Sequence, residues 1–247
     1  MTSDALNGWV RGSFSSGGLT RDTYRKGNGP AVVVVHEIPG VTPAVIRFAE
    51  DVVARGFTVV MPDLVGTAGK EVSGGYIGRS MLKVCISREF TTMAMNKTSP
   101  IISWLRALAR SLHQELGGKG VGAVGMCFSG GFALGMMVDD IMVAPVLSQP
   151  SLPFAVSKSR ARDLNLSPDD ALVVKRRAAA GCQVLGLRFD QDKLVGDRFS
   201  MLRDMLGDAF IAIELPSKDK KDHSVLTEQR DDAAVNRVLD FFASKLL

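Results

Sequence analysis

The chain has 247 residues, 46% of them hydrophobic, and its 30 Lys and Arg against 26 Asp and Glu give a formal charge of +4. This balance excludes a disordered or fibrous chain, and basic residues spread along the length rather than gathered in a patch argue against a nucleic-acid partner. Three widely spaced cysteines argue against a disulfide framework and for a reducing compartment.

No apolar run approaches a membrane span, and MTSDALNGWVRGSF lacks the basic start and apolar stretch of a secretory signal. The expectation is a cytoplasmic protein without a membrane partner, a monomer or homodimer, folded as one α/β domain over residues 1–247.

Short alternating pieces around Trp9 and Phe14, with Ser15 to Gly18 as a turn, predict an antiparallel hairpin at a sheet edge. After Gly27-Asn28-Gly29-Pro30, Ala31 to Val35 is a β-branched run that fits a strand buried on both faces. It ends in His36-Glu37-Ile38-Pro39-Gly40, at the strand edge where open α/β sheets bind ligands.

Thr42-Pro43 then caps a helix that Gly56 stops, and Phe57 to Met61 is the next strand. Leu64 to Gly78 reads as a long irregular loop and Arg79 to Met95 as a helix. Ser99-Pro100 opens an amphipathic helix through Leu116, ended by Gly117-Gly118.

Val121 to Gly131, VGAVGMCFSGG, is a strand and a sharp turn, and Phe132 to Val138 continues it as a helix. Cys127 sits on the turn, and a side chain presented at such a bend needs small neighbours on both sides: Gly125, Ser129, Gly130 and Gly131 meet that need. Gly120 to Gly125 also spells G-x-G-x-x-G, but the motif here contains the strand instead of following it, so a dinucleotide site is not expected.

Ile141 to Val146 is a further strand. Ser148 to Arg162 is proline-interrupted and basic, and Ser167-Pro168-Asp169-Asp170 starts a helix to about Ala180. Residues 148–180 are therefore expected as a partial cover over the site. A strand from Cys182 to Phe189, a helix from about Val195 to Leu206, a strand from Ala209 to Leu215, a charged loop with His223 and a terminal helix complete the chain. The alternation predicts a predominantly parallel sheet flanked by helices on both faces.

Cys127, His223 and an acid at Asp190 or Asp192 each follow a predicted strand, in the chain order nucleophile, acid, histidine of the α/β-hydrolase fold. Physics alone does not choose between the two aspartates. His36 beside Glu37 is a competing base, and Ser129 in Cys127-Phe128-Ser129-Gly130-Gly131 makes an imperfect serine-hydrolase motif.

With His36-Glu37-Ile38-Pro39-Gly40, Gly125-Met126-Cys127-Phe128-Ser129-Gly130-Gly131, Gln191-Asp192-Lys193-Leu194-Val195 and Asp222-His223-Ser224, the chain resembles the dienelactone hydrolase family. The resemblance implies Cys127 as nucleophile, His223 as base, Asp192 as its orienting acid and Glu37 contacting the thiol and helping to ionise it when substrate enters. It also implies an oxyanion hole from the backbone N–H groups of Ile38 and Phe128. The implied activity is hydrolysis of small esters or lactones through a thioester, with no metal and no cofactor.

Two departures stand out. Ser129 replaces a glycine common in the family, and Thr227 stands where founding members hold a substrate carboxylate with arginine; Arg79 or Arg88 is the remaining candidate for that contact. The alternative reading is a catalytically inactive binding or thiol-sensing protein on the same fold.

Overall fold

The computed structural model describes residues 4–90 and 92–247; Met1 to Ser3 of the N-terminal stretch and Thr91 of the expected Arg79 to Met95 helix lie outside them. β1 (Val10–Ser16) and β2 (Leu19–Lys26) form the hairpin, joined by Gly17 and Gly18 at φ 57° and 78°. A two-residue turn with both residues left-handed matches the twist of the strands it joins.

The remaining strands are β3 (Ala31–Val35), β4 (Thr58–Pro62), β5 (Val121–Met126), β6 (Met142–Ser148), β7 (Val184–Phe189) and β8 (Phe210–Leu215). They complete an 8-stranded sheet in the order β1-β2-β4-β3-β5-β6-β7-β8, with β2 antiparallel to both neighbours and every pair from β4 to β8 parallel. The carboxyl ends of β3, β5 and β7 consequently reach one edge.

Side chains alternate across the central strands and so feed two cores. Val33 and Val35 pack with α3 (Pro100–Leu116), α4 (Phe132–Met136), α6 (Pro168–Ala179) and α7 (Arg198–Leu206) through residues such as Leu105, Phe132, Val174 and Phe199. Val32 and Val34 pack with α1 (Pro43–Ala54) and α8 (Asp232–Leu246) through Val45, Phe48, Val238 and Phe242. Each fully buried aliphatic or aromatic side chain contributes roughly 1.5–3 kcal/mol. The two cores grip β3 and β5 from both sides and leave their ends as the rigid floor of a site.

Two expectations fail. The stretch from Leu64 to Gly78 is not wholly irregular, and the next helix does not run from Arg79 to Met95: α2 spans Gly74–Ile86. Ser73 accepts from the Tyr76 N–H at 3.3 Å as N-cap, Ser80 Oγ donates to the Pro39 carbonyl at 2.8 Å, and Tyr76 Oη donates to the Thr67 carbonyl at 3.0 Å. Tertiary anchors thus outweigh the low helix propensity of Gly74, Gly75 and Gly78.

α7 likewise starts at Arg198 rather than about Val195, because Gly196 at φ 59° interrupts a right-handed helix. α5 (Lys158–Arg162) is a short helix inside the expected cover segment, which packs against α4 and α7. No helix of the described residues is long and apolar enough to cross a membrane.

Candidate active site

The chain leaves β5 and turns at Cys127, which holds φ 57°, a left-handed conformation that a non-glycine residue adopts only at some cost. The turn is built by close approach. A Cβ on Gly125 would lie 2.0 Å from the Ser129 carbonyl oxygen, and one on Gly130 would lie 2.5 Å from Pro150 Cα. Gly131 is different: its nearest neighbour would be 3.6 Å away, ordinary contact, so the expected need for a small residue there does not hold.

Ser129 is fully buried beneath the turn. Its Oγ accepts from the Met126 N–H at 2.9 Å and lies 3.0 Å from the carbonyls of Val35, His36 and Met126. That hydroxyl ties the end of β3 to the turn and is spent on backbone, which removes it as a competing nucleophile.

His36 is also structural. Nε2 accepts from the N–H groups of Leu64 at 3.0 Å and Val65 at 3.4 Å, so Nδ1 carries the proton and donates to the Glu37 carbonyl at 2.8 Å. Burial drives its pKa down to about 4, only partly opposed by that backbone bond. A neutral, doubly engaged ring is a poor base for the thiol.

The structure brings Cys127, His223 and Asp192 together. His223 Nδ1 is 2.6 Å from Asp192 Oδ2, and Asp192 Oδ1 accepts from the Leu194 N–H at 3.0 Å. His223 Nε2 is buried and outside hydrogen-bond geometry with any partner among the described residues. Burial pulls the ring's pKa down, but the Cys127 charge and the Asp192 hydrogen bond outweigh it and raise the pKa to about 11. Cys127 therefore lies within interaction range of the imidazole, the arrangement that a nucleophilic thiol and its base require.

Asp190 is the rival that does not meet the ring: its carboxylate accepts from the Ser217 N–H at 2.9 Å and Ser217 Oγ at 2.8 Å, and the residue is exposed. The histidine loop is shaped by Gln229, whose Oε1 accepts from the N–H groups of Ser224 at 2.8 Å and His223 at 3.4 Å.

Glu37 is buried at the end of β3, but no hydrogen bond joins it to the thiol. Its carboxylate accepts from Ser224 Oγ at 2.7 Å, from Gln149 Nε2 at 3.3 Å and from Thr227 Oγ1. Burial raises its pKa, while the Thr227 and Ser224 hydroxyls and the nearby His223 charge lower it. The residue at the departure from the family pattern, Thr227, is thus one of the groups that hold Glu37 in place.

Arg79 opens instead onto a cavity of about 360 Å³ that it shares with Lys70, Tyr76 and Lys83, beside the Pro39–Gly40 turn. Arg88 is exposed after the end of α2. No hydrogen bond or ion pair joins either arginine to Cys127, His223 or Asp192. Gln149, Ser224 and the buried Arg198 were missed from sequence because each meets partners distant along the chain, and Gln229 because its turn carries no recognisable motif. Among the described residues no group of side chains is arranged to hold a metal ion.

A parallel sheet with its second strand reversed, a strained cysteine after the fifth strand and a histidine–aspartate pair on later loops define an α/β-hydrolase. A family model described as the dienelactone hydrolase family matches residues 20–155, more than half of the chain. The protein belongs to the dienelactone hydrolase family.

Among solved structures, the dienelactone hydrolase from Anabaena variabilis superposes with a TM-score of 0.65 at 17% identity, covering 97% of this chain and 98% of that one. DcsB in complex with its substrate analogue gives 0.66 at 11% identity, over 96% and 100%. A cold-adapted esterase from an Arctic intertidal metagenomic library gives 0.62 at 16% identity, over 96% and 93%. At these identities the likeness concerns the fold. No curated protein matches the chain.

Proposed function

We propose that the protein is a cofactor-independent hydrolase of small esters or lactones that works through a Cys127–His223–Asp192 triad. The observation that carries this reading is the strained Cys127 facing an imidazole which Asp192 holds at 2.6 Å and whose pKa is raised to about 11.

The Cys127 thiolate attacks the carbonyl carbon, and the oxygen takes up the electron pair released from the C=O bond. The backbone N–H groups of Ile38 and Phe128 receive that oxyanion. Collapse breaks the bond to the alkoxide, which takes the proton from His223 and leaves a thioester. His223, now neutral, removes a proton from water; the hydroxide adds to the thioester, the C–S bond breaks as the thiolate reforms, and the carboxylic acid departs and gives its proton to solvent. Asp192 fixes the ring orientation and balances its positive charge throughout. Burial raises the pKa of Glu37, which lessens the like charge that its carboxyl would set near the thiolate.

Turnover of 4-nitrophenyl acetate is the test. Cys127→Ala is expected to lower kcat by at least about 10³-fold; a variant as active as the parent overturns the proposal. The second reading, an inactive binding or thiol-sensing protein, draws on Arg79 and Arg88 making no hydrogen bond or ion pair to Cys127 among the described residues and on Glu37 being held by neutral donors. Rapid alkylation of Cys127 with no turnover across a panel of esters and lactones would favour it.

A further inference from the structure

We propose that Arg198 is a positioning residue for the triad acid: a buried cation that locks the Asp192 loop to the segment that follows β6 and rests on the nucleophile turn, and that presents positive charge towards Asp192. The proposal rests on the triad reading above.

Arg198 is the first residue of α7 and is 0% exposed. A buried guanidinium ordinarily finds a carboxylate, yet among the described residues this one forms no ion pair and bonds only to backbone carbonyls. Nε donates to Asp163 O at 2.9 Å, Nη1 to Leu194 O at 3.1 Å and Val195 O at 2.8 Å, and Nη2 to Arg160 O at 3.0 Å and to Pro153 O. Burial lowers its pKa to about 10, opposed by the charges of Asp163 and Asp192, so it stays a cation at neutral pH. The Asp163 carboxylate is already taken by the N–H groups of Asn96 at 2.7 Å and Asn165 at 2.8 Å.

These bonds join two stretches that both touch the triad. On one side, Arg198 holds the carbonyls of Leu194 and Val195, and the Leu194 N–H holds Asp192 Oδ1, whose partner oxygen meets His223. On the other, the Ser151 N–H donates to the Cys127 carbonyl at 3.0 Å, and the chain runs from there through Pro153 to α5. At the end of α5 the Arg160 carbonyl, which already accepts from the Asp163 N–H at 3.1 Å, is met by Arg198, and the Ala161 carbonyl by the Asp197 N–H at 3.0 Å. A cation suits that helix end.

Gly196 completes the joint: a Cβ there would sit 2.9 Å from Ala161 Cβ and 3.0 Å from its carbonyl oxygen. Movement of Arg198 would therefore displace the acid and the wall beside the nucleophile together.

A merely structural arginine would lower stability and leave the chemistry of the folded fraction unchanged. The discriminating readout is the pH profile of Cys127 alkylation by iodoacetamide, followed by peptide mapping because Cys85 is also exposed. The Cys127–His223 pair is faced by Asp192 and Glu37, and Arg198 by Asp163 and Asp192.

With folded protein verified by circular dichroism, Arg198→Met is expected to move the alkylation midpoint up by about one pH unit. It should also lower kcat for 4-nitrophenyl acetate by tenfold or more, roughly, with KM little changed. Arg198→Lys, which keeps charge but loses the fork, should recover part of the midpoint shift and little of kcat. Gly196→Ala, which opens the joint while the charge remains, should lower kcat with a smaller midpoint shift, and it decides the matter if the Arg198→Met protein does not fold.

Folded variants with the parental profile and kcat overturn the proposal. If the parent itself hydrolyses no ester, the functional reading fails, and the alkylation profiles still decide whether Arg198 positions the pair.

Discussion

The Cys127 turn and the Asp192 loop each hold one member of the proposed triad, and they do so by opposite means. The turn works by exclusion: Gly125 and Gly130 leave no room for a Cβ, so the backbone has one path and the cysteine is forced to φ 57°. The loop works by attraction, through a buried arginine that gathers carbonyls 35 to 45 residues away in sequence. Exclusion acts between near neighbours and shows as a run of small residues. Attraction over that separation leaves no local mark.

The largest expected effect tests the loop. Asp192→Asn keeps the shape and removes the charge facing His223, so kcat should fall by roughly 10²–10⁴-fold. Asp190→Asn, whose exposed carboxylate is engaged by Ser217, should leave kcat within about twofold. Steady-state kinetics on the two variants compares the rivals directly, and a reversed order would reassign the triad acid.

Next comes the turn. Gly125→Ala forces a Cβ against the Ser129 carbonyl and should cost about 3 kcal/mol in urea unfolding, whereas Gly131→Ala should stay within about 0.5 kcal/mol. Equal losses at the two positions would refute the account by exclusion.

Two histidines sharpen the comparison through pH. His36, with its pKa lowered to about 4, stays neutral in the fold while the unfolded chain takes up a proton. Its contribution to stability is therefore lost as pH falls from about 6.5 towards 4, by about 3 kcal/mol in all. His223 has the opposite sign: with its pKa raised to about 11, its contribution is fully present below about pH 6.5 and is lost as pH rises towards 11. Urea midpoints across pH 4 to 10 should peak between these limits, and a midpoint still climbing at pH 10 would contradict the His223 assignment.

The smallest effect belongs to Ser129→Ala. It strips a buried hydroxyl from the Met126 N–H and should cost about 1–3 kcal/mol of stability while turnover per folded molecule is kept. A selective loss of turnover with stability intact would instead give Ser129 a part in the chemistry.

Much of the architecture was legible along the chain. The hairpin, the helix from Ser99-Pro100 through Leu116 and the strand before Cys127 were read near their observed bounds, because caps, prolines and β-branched runs act locally. The start of α2 was not: three glycines hid a helix that Tyr76 and Ser80 secure through contacts with Thr67 and Pro39. The hydrogen bonds that Glu37 accepts from Ser224, Thr227 and Gln149 were not legible either, two of these partners lying near the far end of the chain.

By itself the sequence determined the order of strands and helices, the bend that presents Cys127 and the late histidine, since steric fit and hydrophobic period are properties of neighbouring residues. Only the tertiary structure decided that Asp192 rather than Asp190 meets His223, that Ser129 and His36 are framework, and that Arg198 lies buried between two loops. Those outcomes depend on which distant carbonyls and hydroxyls share a water-free space, where an unpaired polar group is costly, and that is settled only once the sheet has brought its loops to one edge.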